Sequence, residues 1–460
     1  MAMAKNMFLV PALAAVTLAL MTGQAAATKA QSPSQTGKNC VKCHQAEAGT
    51  LRGFMKAGSQ TDNSFAVQVD NDTWNVSYDA STKLAKNLTS AKEIGDGRII
   101  MVKIREEGGK NVATELSYKT PEAYSDPAKV IEAGELISLL KKDPKKANYA
   151  LLDVRGVSYF EEGHLPGAVV IPNYRFAKYK DRLPKDKNTL IVTYCNGYTC
   201  SMSPNFARVL MEGYGYKNVK MFSTGFPSWR TTGEPVHTEP EFVKYVMDSG
   251  QKDSFVLVDL RSPDKAKAEH LPGAVNLPAS DMKAVWQAMP SDKKARIILY
   301  SDNMAEAEKA MRALRVNTYD VVSVLAGGVK GWKAKGYPVA ANSLAAEVKY
   351  KKQLIPGQIG VDEFKAIAKN IPADKVVLDV RRPDERANRG KIAGAINIPV
   401  DTLDARWSEL PKDKEIIVHC QDGPRASVAF DVLKEHGVKA RYLFGGFKWN
   451  KDGSYEVQGK

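Results

Sequence analysis

A chain of 460 residues, 43% hydrophobic and 26% charged, has room for about three or four domains and the composition of a folded soluble protein. That excludes a disordered chain, a collagen-like fibre and a polytopic membrane protein, and five cysteines exclude a disulfide-dense scaffold. The 66 Lys and Arg against 52 Asp and Glu, a net charge of +14, suit an anionic ligand or partner without choosing one, and equally a basic solvated surface.

The first segment reads as an address. Lys5 precedes an apolar run from Met7 to Met21, and Ala25-Ala26-Ala27 offers a small-residue cleavage site. The run is short for a membrane span, so a signal peptide is expected over 1–27, with an uncleaved anchor as the alternative. The expected location is periplasmic or secreted, with no transmembrane span after processing.

A second unit is expected over 28–120. It opens on Cys40-Val41-Lys42-Cys43-His44. Two thiols three residues apart can each add to a haem vinyl group, and the adjacent imidazole can ligate the iron. A covalent c-type haem at Cys40, Cys43 and His44 is therefore expected, with Met55 the nearest distal candidate and a soluble or membrane-bound electron-transfer partner. A redox disulfide or a partial zinc site is the alternative reading of the string. Alternation then takes over at Phe65/Val67/Val69, Trp74/Val76/Tyr78, Ile100/Val102/Ile104 and Val112/Thr114/Leu116/Tyr118. With Leu51–Met55 this makes about five antiparallel strands, closing as a small barrel of the oligonucleotide/oligosaccharide-binding shape. The aromatic residues alternate as core residues do, so no nucleic-acid partner is expected. Residues 121–129 are the linker.

The rest of the chain repeats. Leu152-Asp153-Val154-Arg155, Val258-Asp259-Leu260-Arg261 and Leu378-Asp379-Val380-Arg381 are each followed by a Gly-Ala turn, and each unit ends on a Gly…Trp mark at Trp229, Trp332 or Trp449. Short apolar runs such as Val256–Leu260 and Glu415–His419 alternate with amphipathic stretches such as Ala426–Gly437. This predicts α/β units with parallel sheets buried on both faces, over 126–238, 239–345 and 355–460. The Asp-x-Arg pairs are expected to be internal ion pairs. His164 and His270 read as structural, and His419 as packing.

Cys420 ends a predicted buried strand and is followed by Gln421-Asp422-Gly423-Pro424-Arg425-Ala426 and a helix. That places a thiol at the carboxyl end of a parallel sheet, where loop amides and a helix N-terminus stabilise a thiolate. Arg425 adds a positive charge, as a nucleophile attacking an anionic sulfur donor requires. These phrases, the loop and the terminal Gly-Gly…Trp resemble the rhodanese family of sulfurtransferases. The resemblance implies that Cys420 accepts a sulfane sulfur as a persulfide and passes it to cyanide or a thiol. The same register leads from Asp153 to Cys195 but from Asp259 to Ser301. A hydroxyl cannot hold a persulfide, so the middle copy is expected to be inactive. The first copy reads Cys195-Asn196-Gly197-Tyr198-Thr199-Cys200, with Cys200 where the arginine belongs. Cys200 could attack a Cys195 persulfide and expel sulfide, or the pair could be a fixed structural disulfide.

The reading is an exported sulfurtransferase acting on small sulfur anions and thiol acceptors. Catalysis is expected from Cys420, Arg425, Cys195 and Cys200. Substrate contacts are expected from Gln421, Asp422, Gly423, Pro424, Ala426, Asn196 and Gly197. A non-enzymatic binding or assembly protein, and a haem-linked redox enzyme for sulfur, selenium or tellurium oxyanions, are the rivals.

Overall fold

A computed structural model describes residues 35–36, 47–56, 59–69, 72–84, 91, 94, 99–118, 129–197, 200, 202–316, 318–450 and 453–459. The expected signal peptide and the Cys40–His44 string lie outside the described residues.

The N-terminal unit is a mainly antiparallel sheet whose five longer strands are Thr50–Met55, Ser64–Val69, Asp72–Ser77, Ile99–Glu107 and Lys110–Tyr118. Their ladders run in a ring that returns to the first strand. Three ladders differ from the expected antiparallel pairing: Asp72–Ser77 and Lys83–Leu84 each run parallel to Lys110–Tyr118, and Gln35–Thr36 runs parallel to Thr50–Met55. Ile99–Glu107 pairs with Thr50–Met55, which leaves its hairpin partner pointing the same way as Asp72–Ser77. Phe65, Val67, Val76, Ile100, Val102 and Leu116 face inward, as their alternation requires, while Trp74 and Tyr78 only pack against this core from its edge.

The three α/β units have parallel sheets of four, five and five strands. In the first the order is Val219–Phe222, Leu190–Tyr194, Tyr149–Asp153, Val169–Val170. In the third it is Gln358–Ile359, Ala440–Leu443, Glu415–His419, Lys375–Asp379, Ile396–Asn397. Each sheet has an apolar core on both faces. In the middle unit Val256, Val258, Ile297 and Leu299 go to one side and Leu257, Ile298 and Tyr300 to the other. Period-two alternation of all-apolar strands produces this two-sided burial. The helix after Cys420 runs Pro424–Glu435. It ends because Gly437, at φ +70°, turns the chain back so that the Val438 amide reaches the Leu433 carbonyl.

Two features were not expected. His237–Thr238 pairs with Val322–Leu325, so the first strand of the middle sheet lies just before the expected boundary at 238. The final Gly…Trp mark also differs between units. After the last sheet strand the first two units carry a helix, Gly225–Thr231 and Gly328–Ala334, whereas the third carries an antiparallel hairpin, Gly445–Trp449 with Tyr455–Gly459.

The first and third units meet directly. The Ser158 hydroxyl donates to the Asp431 carboxylate. Arg175 forks onto Glu435 through two bonds of 2.7 Å, and the ring of Tyr159 meets Tyr442 edge-on.

Candidate active site

Each Asp-x-Arg pair is a buried ion pair: Asp153–Arg155 at 2.6 Å, Asp259–Arg261 at 2.7 Å and Asp379–Arg381 at 2.7 Å. Each arginine also donates to the carbonyl of Gly163, Glu269 or Gly390, fixing the turn that follows the helix Val157–Glu162, Pro263–Ala268 or Pro383–Arg389. These groups order the fold, as expected. His164 and His270 are buried, with Nδ1 against the carbonyls of Phe160 and Ala266. His419 is fully buried, and burial pushes its pKa down to about 4, so it is a neutral packing group against Phe364 and Phe447.

Cys420 follows the last residue of the central strand of the third sheet and is the one free thiol among the described cysteines. The Gly423 amide donates to its Sγ at 3.1 Å. Gly423 sits at φ +96°, a backbone that side chains resist, and Pro424 starts the helix at once. The amide and the helix N-terminus therefore both face the sulfur. Gln421 pins the loop to the C-terminal hairpin. Its side-chain amide donates to the Phe447 carbonyl at 2.6 Å, and the Phe447 amide donates to the Gln421 carbonyl at 2.9 Å. Ala426 is fully buried in the helix and does not face a ligand.

Arg425 is not a free cation. Its guanidinium forks onto Glu385 at 2.6 and 2.8 Å, and this pairing holds the Glu385 carboxyl down at about 2. A guanidinium largely withdrawn from water requires such a counterion. Glu385 was missed in the sequence because its partner is 40 residues away. Its local trace was present all the same: it stands in the first turn of the helix Pro383–Arg389, where its side chain accepts from the Arg382 amide.

In the first unit Cys195 and Cys200 are joined in a disulfide. Gly197, at φ +91°, turns the loop, and the Cys200 amide donates to the Gly197 carbonyl at 2.9 Å. A side chain at Gly225 would collide with the Cys195 carbonyl, just as one at Gly328 would collide with the Ser301 carbonyl. The two loops therefore share a register, and Ser301 stands where the thiol would be. Its hydroxyl donates to Glu306 at 2.5 Å. Glu306 is five residues on, the position of Arg425 and Cys200 in the other copies.

One cavity of about 400 Å³ brings two of these loops together. Cys420, Asp422, Pro424 and Arg425 line it from the third unit and Asn196 and Cys200 from the first. Tyr159 of the first unit belongs to the same buried cluster as Cys420. Tyr174 packs against both that cluster and the one holding Cys195 and Cys200. Arg230, Arg296 and Arg315 also line the cavity, and no sequence motif marked them. In the N-terminal unit the Met55 thioether is fully buried in the core of the sheet.

The rhodanese-like domain family matches residues 133–232, 241–335 and 360–452, more than half of the chain. A sulfurtransferase of Allochromatium vinosum is 33% identical over 82 residues, covering 17% of this chain and 76% of that protein. An HTH-type transcriptional regulator of Mycobacterium tuberculosis is 36% identical over 86 residues, covering 19% of this chain and 36% of that protein. The chain therefore spans about a third of the length of one of these relatives and three quarters of the other. Among solved structures, thiosulfate sulfurtransferase of Pseudomonas aeruginosa is 19% identical, covering 68% of this chain and 65% of that one, with a TM-score of 0.22. With three matched segments, three parallel sheets and a thiol at the end of a central strand, the chain belongs to the rhodanese family.

Proposed function

We propose that the protein is a sulfurtransferase that works through Cys420. The observation that carries this is the Gly423 amide on the Cys420 sulfur, at the start of a helix and on the wall of a cavity. The thiolate attacks the outer sulfur of a donor such as thiosulfate, a persulfide or a polysulfide. The sulfur–sulfur bond of the donor breaks, the donor leaves with the bonding pair (as sulfite from thiosulfate), and Cys420 becomes a persulfide. A thiolate or cyanide then attacks the outer sulfur and returns Cys420 to the thiolate. The loop amides offset the negative charge carried by the sulfur in both states. The middle copy, with Ser301 on Glu306, takes no part in this chemistry.

The Cys195–Cys200 pair is a second, redox-capable site. Reduced by an external dithiol, it can take a sulfane sulfur on Cys195. Attack by Cys200 on the Cys195 sulfur then expels sulfide and restores the disulfide. Cys200 and Asn196 line the cavity, and this supports the role over a purely structural bridge, although Cys195 itself is buried behind them.

The chain is exported to a periplasmic or extracellular compartment. A c-type haem, when bound, would be held by Cys40 and Cys43 with His44 on the iron, and would supply a one-electron site for a redox partner. Met55, the other candidate named from the sequence, is fully buried in the core of the sheet, so its thioether is committed to packing.

Thiocyanate formation from thiosulfate and cyanide tests the reading. Wild-type protein should turn over and Cys420→Ser should not. Absence of thiocyanate with thiosulfate, organic persulfides and polysulfides alike would overturn it.

A further inference from the structure

Three arginines converge on the cavity beside Cys420, and the third unit supplies none of them. Arg230 comes from the Gly225–Thr231 helix of the first unit. Arg296, just before the Ile297–Tyr300 strand, and Arg315, near the end of the Met304–Val316 helix, come from the middle unit. Their donors are only partly used. Arg296 gives one bond to Glu162 at 2.6 Å and lies over the Phe242 ring, while its Nε and Nη1 are buried without an acceptor. Arg315 gives its two terminal nitrogens to the carbonyls of Glu234 and Val322, and its Nε is buried without an acceptor. Arg230 donates to the Asp320 carbonyl at 2.7 Å.

Glu162 and Asp320 are the carboxylates that act on this group, and Asp422 is on the cavity wall by Cys420. The other two arginines of the wall are spent, Arg155 on Asp153 and Arg425 on Glu385. Burial and the neighbouring guanidiniums both work against charge here. Arg230 is held below its ordinary range and Arg315 is pushed down to about 9. Among the described contacts one carboxylate bond, from Arg296 to Glu162, meets these three guanidiniums, while Arg230 and Arg315 bond backbone carbonyls, so the group leaves positive charge on the cavity wall that an anion would offset. Tyr159, Phe226, Pro227 and Phe444 make part of the remaining wall apolar, beside the polar side chains of Asn196, Ser323 and Gln421. At about 400 Å³ the space falls in the range of roughly 300–1,000 Å³ that encloses a small organic molecule.

We propose that Arg230, Arg296 and Arg315 form an anion-binding subsite for the tail of the sulfur donor, so that the preferred donor is an organic persulfide with an apolar body and an anionic group. This rests on the Cys420 reading and narrows its substrate. It also gives the middle copy a task. Having lost the thiol, that copy retains the two arginines that grip the tail of a donor reacting in the third. The transfer itself is unchanged: the Cys420 thiolate takes the outer sulfur and the organic thiolate leaves.

The test compares glutathione persulfide, a dicarboxylate, with the persulfide of N-acetylcysteamine, which has no anionic tail. Wild-type protein should show kcat/KM about tenfold or more higher for the anionic donor. Arg296→Gln should remove most of that preference, through a raised KM for the anionic donor. S-methylglutathione, which cannot donate sulfur, should shield Cys420 of unmutated protein from iodoacetamide, followed on the Cys420 peptide by mass spectrometry. This readout does not depend on any variant folding. Equal kcat/KM for the two donors in wild-type protein, or no shielding, would overturn the subsite and leave the Cys420 reading intact. If neither donor transfers sulfur while S-methylglutathione still shields, the Cys420 reading fails and the assignment of a persulfide donor fails with it.

Discussion

Arg425 and Glu385 face each other through two parallel hydrogen bonds of 2.6 and 2.8 Å, so the cation beside the nucleophile arrives already neutralised. Its work is to fix the loop rather than to attract a donor. Arg425→Ala leaves the Glu385 carboxylate, 14% exposed, without its main partner, and should cost about 2–3 kcal/mol of stability. The double variant with Glu385→Ala should recover a large part of that loss. Urea unfolding of the four proteins gives the coupling directly. Additive single losses would show that the pair is dispensable.

Cys420→Ser should lower thiocyanate formation by at least about a hundredfold in a folded protein, because a hydroxyl cannot carry the sulfur. Ser301→Ala should leave turnover unchanged and cost about 1 kcal/mol through the lost bond to Glu306. Ser301→Cys should also gain nothing. Glu306 occupies the position of the arginine, and a carboxylate beside a thiol opposes thiolate formation. Trapping of a persulfide on the new cysteine would refute this account of the middle copy.

The junction of the first and third units should respond to acid in an unusual direction. Asp431 is 6% exposed, and burial raises its pKa from 3.8 to about 6. The bonds from Ser158 and the charges of Lys434 and Arg175 oppose the rise, and Glu161 next to it is raised to about 7. The folded state therefore holds this proton longer than the unfolded chain does. Stability from Asp431 is greatest below about pH 4 and declines as pH rises to about 6. His419, lowered to about 4, acts in the opposite sense over much of that window, so the comparison with a variant is what isolates the effect. Asp431→Asn, which still accepts from Ser158, should be about 1–3 kcal/mol more stable than wild type at pH 7.5 and nearly equal to it at pH 4. A difference independent of pH would rule out the buried carboxyl as its source.

Expressed with its export signal in a host that attaches haem outside the cytoplasm, the protein should show a Soret band and a denatured mass exceeding the processed chain by one haem. Cys40→Ser with Cys43→Ser should abolish both while leaving sulfur transfer at Cys420 unchanged. A wild-type mass equal to the polypeptide alone would reduce the string to a dithiol and remove the proposed electron-transfer role.

What could be read from the sequence was local. The strand–thiol–loop–helix at Cys420 is contiguous, and the step from Asp259 to Ser301 is a count along one unit. The first reappears as the strand Glu415–His419 and the helix Pro424–Glu435 on either side of the Cys420 loop, and the second in Gly225 and Gly328, which sit against the equivalent carbonyls of Cys195 and Ser301. The pairing of Arg425 with Glu385 and the meeting of Arg230, Arg296 and Arg315 are tertiary, and no spacing encodes them. The C-terminal hairpin was hidden by a shared mark. Trp229 and Trp332 donate their indole N–H to the carbonyls of Pro235 and Pro338, six residues on, which closes the turn after each helix. The matching position after Trp449 is Tyr455, and there the chain continues as a strand.

The strand His237–Thr238 has a mechanical consequence. It is hydrogen-bonded into the middle sheet while the amide and carbonyl of His237 pair with those of His164 in the first unit. No length of chain separates those two units, and they should tumble in solution as one body. Further on, Ile355 is still packed in the core of the middle unit, and Gln358 already belongs to the third sheet. The joint is Pro356-Gly357, too short to act as a tether. A nick made there would leave the third unit seated, held by Asp431 on Ser158 and Glu435 on Arg175, and the cleaved protein should elute as a single species until those contacts are broken.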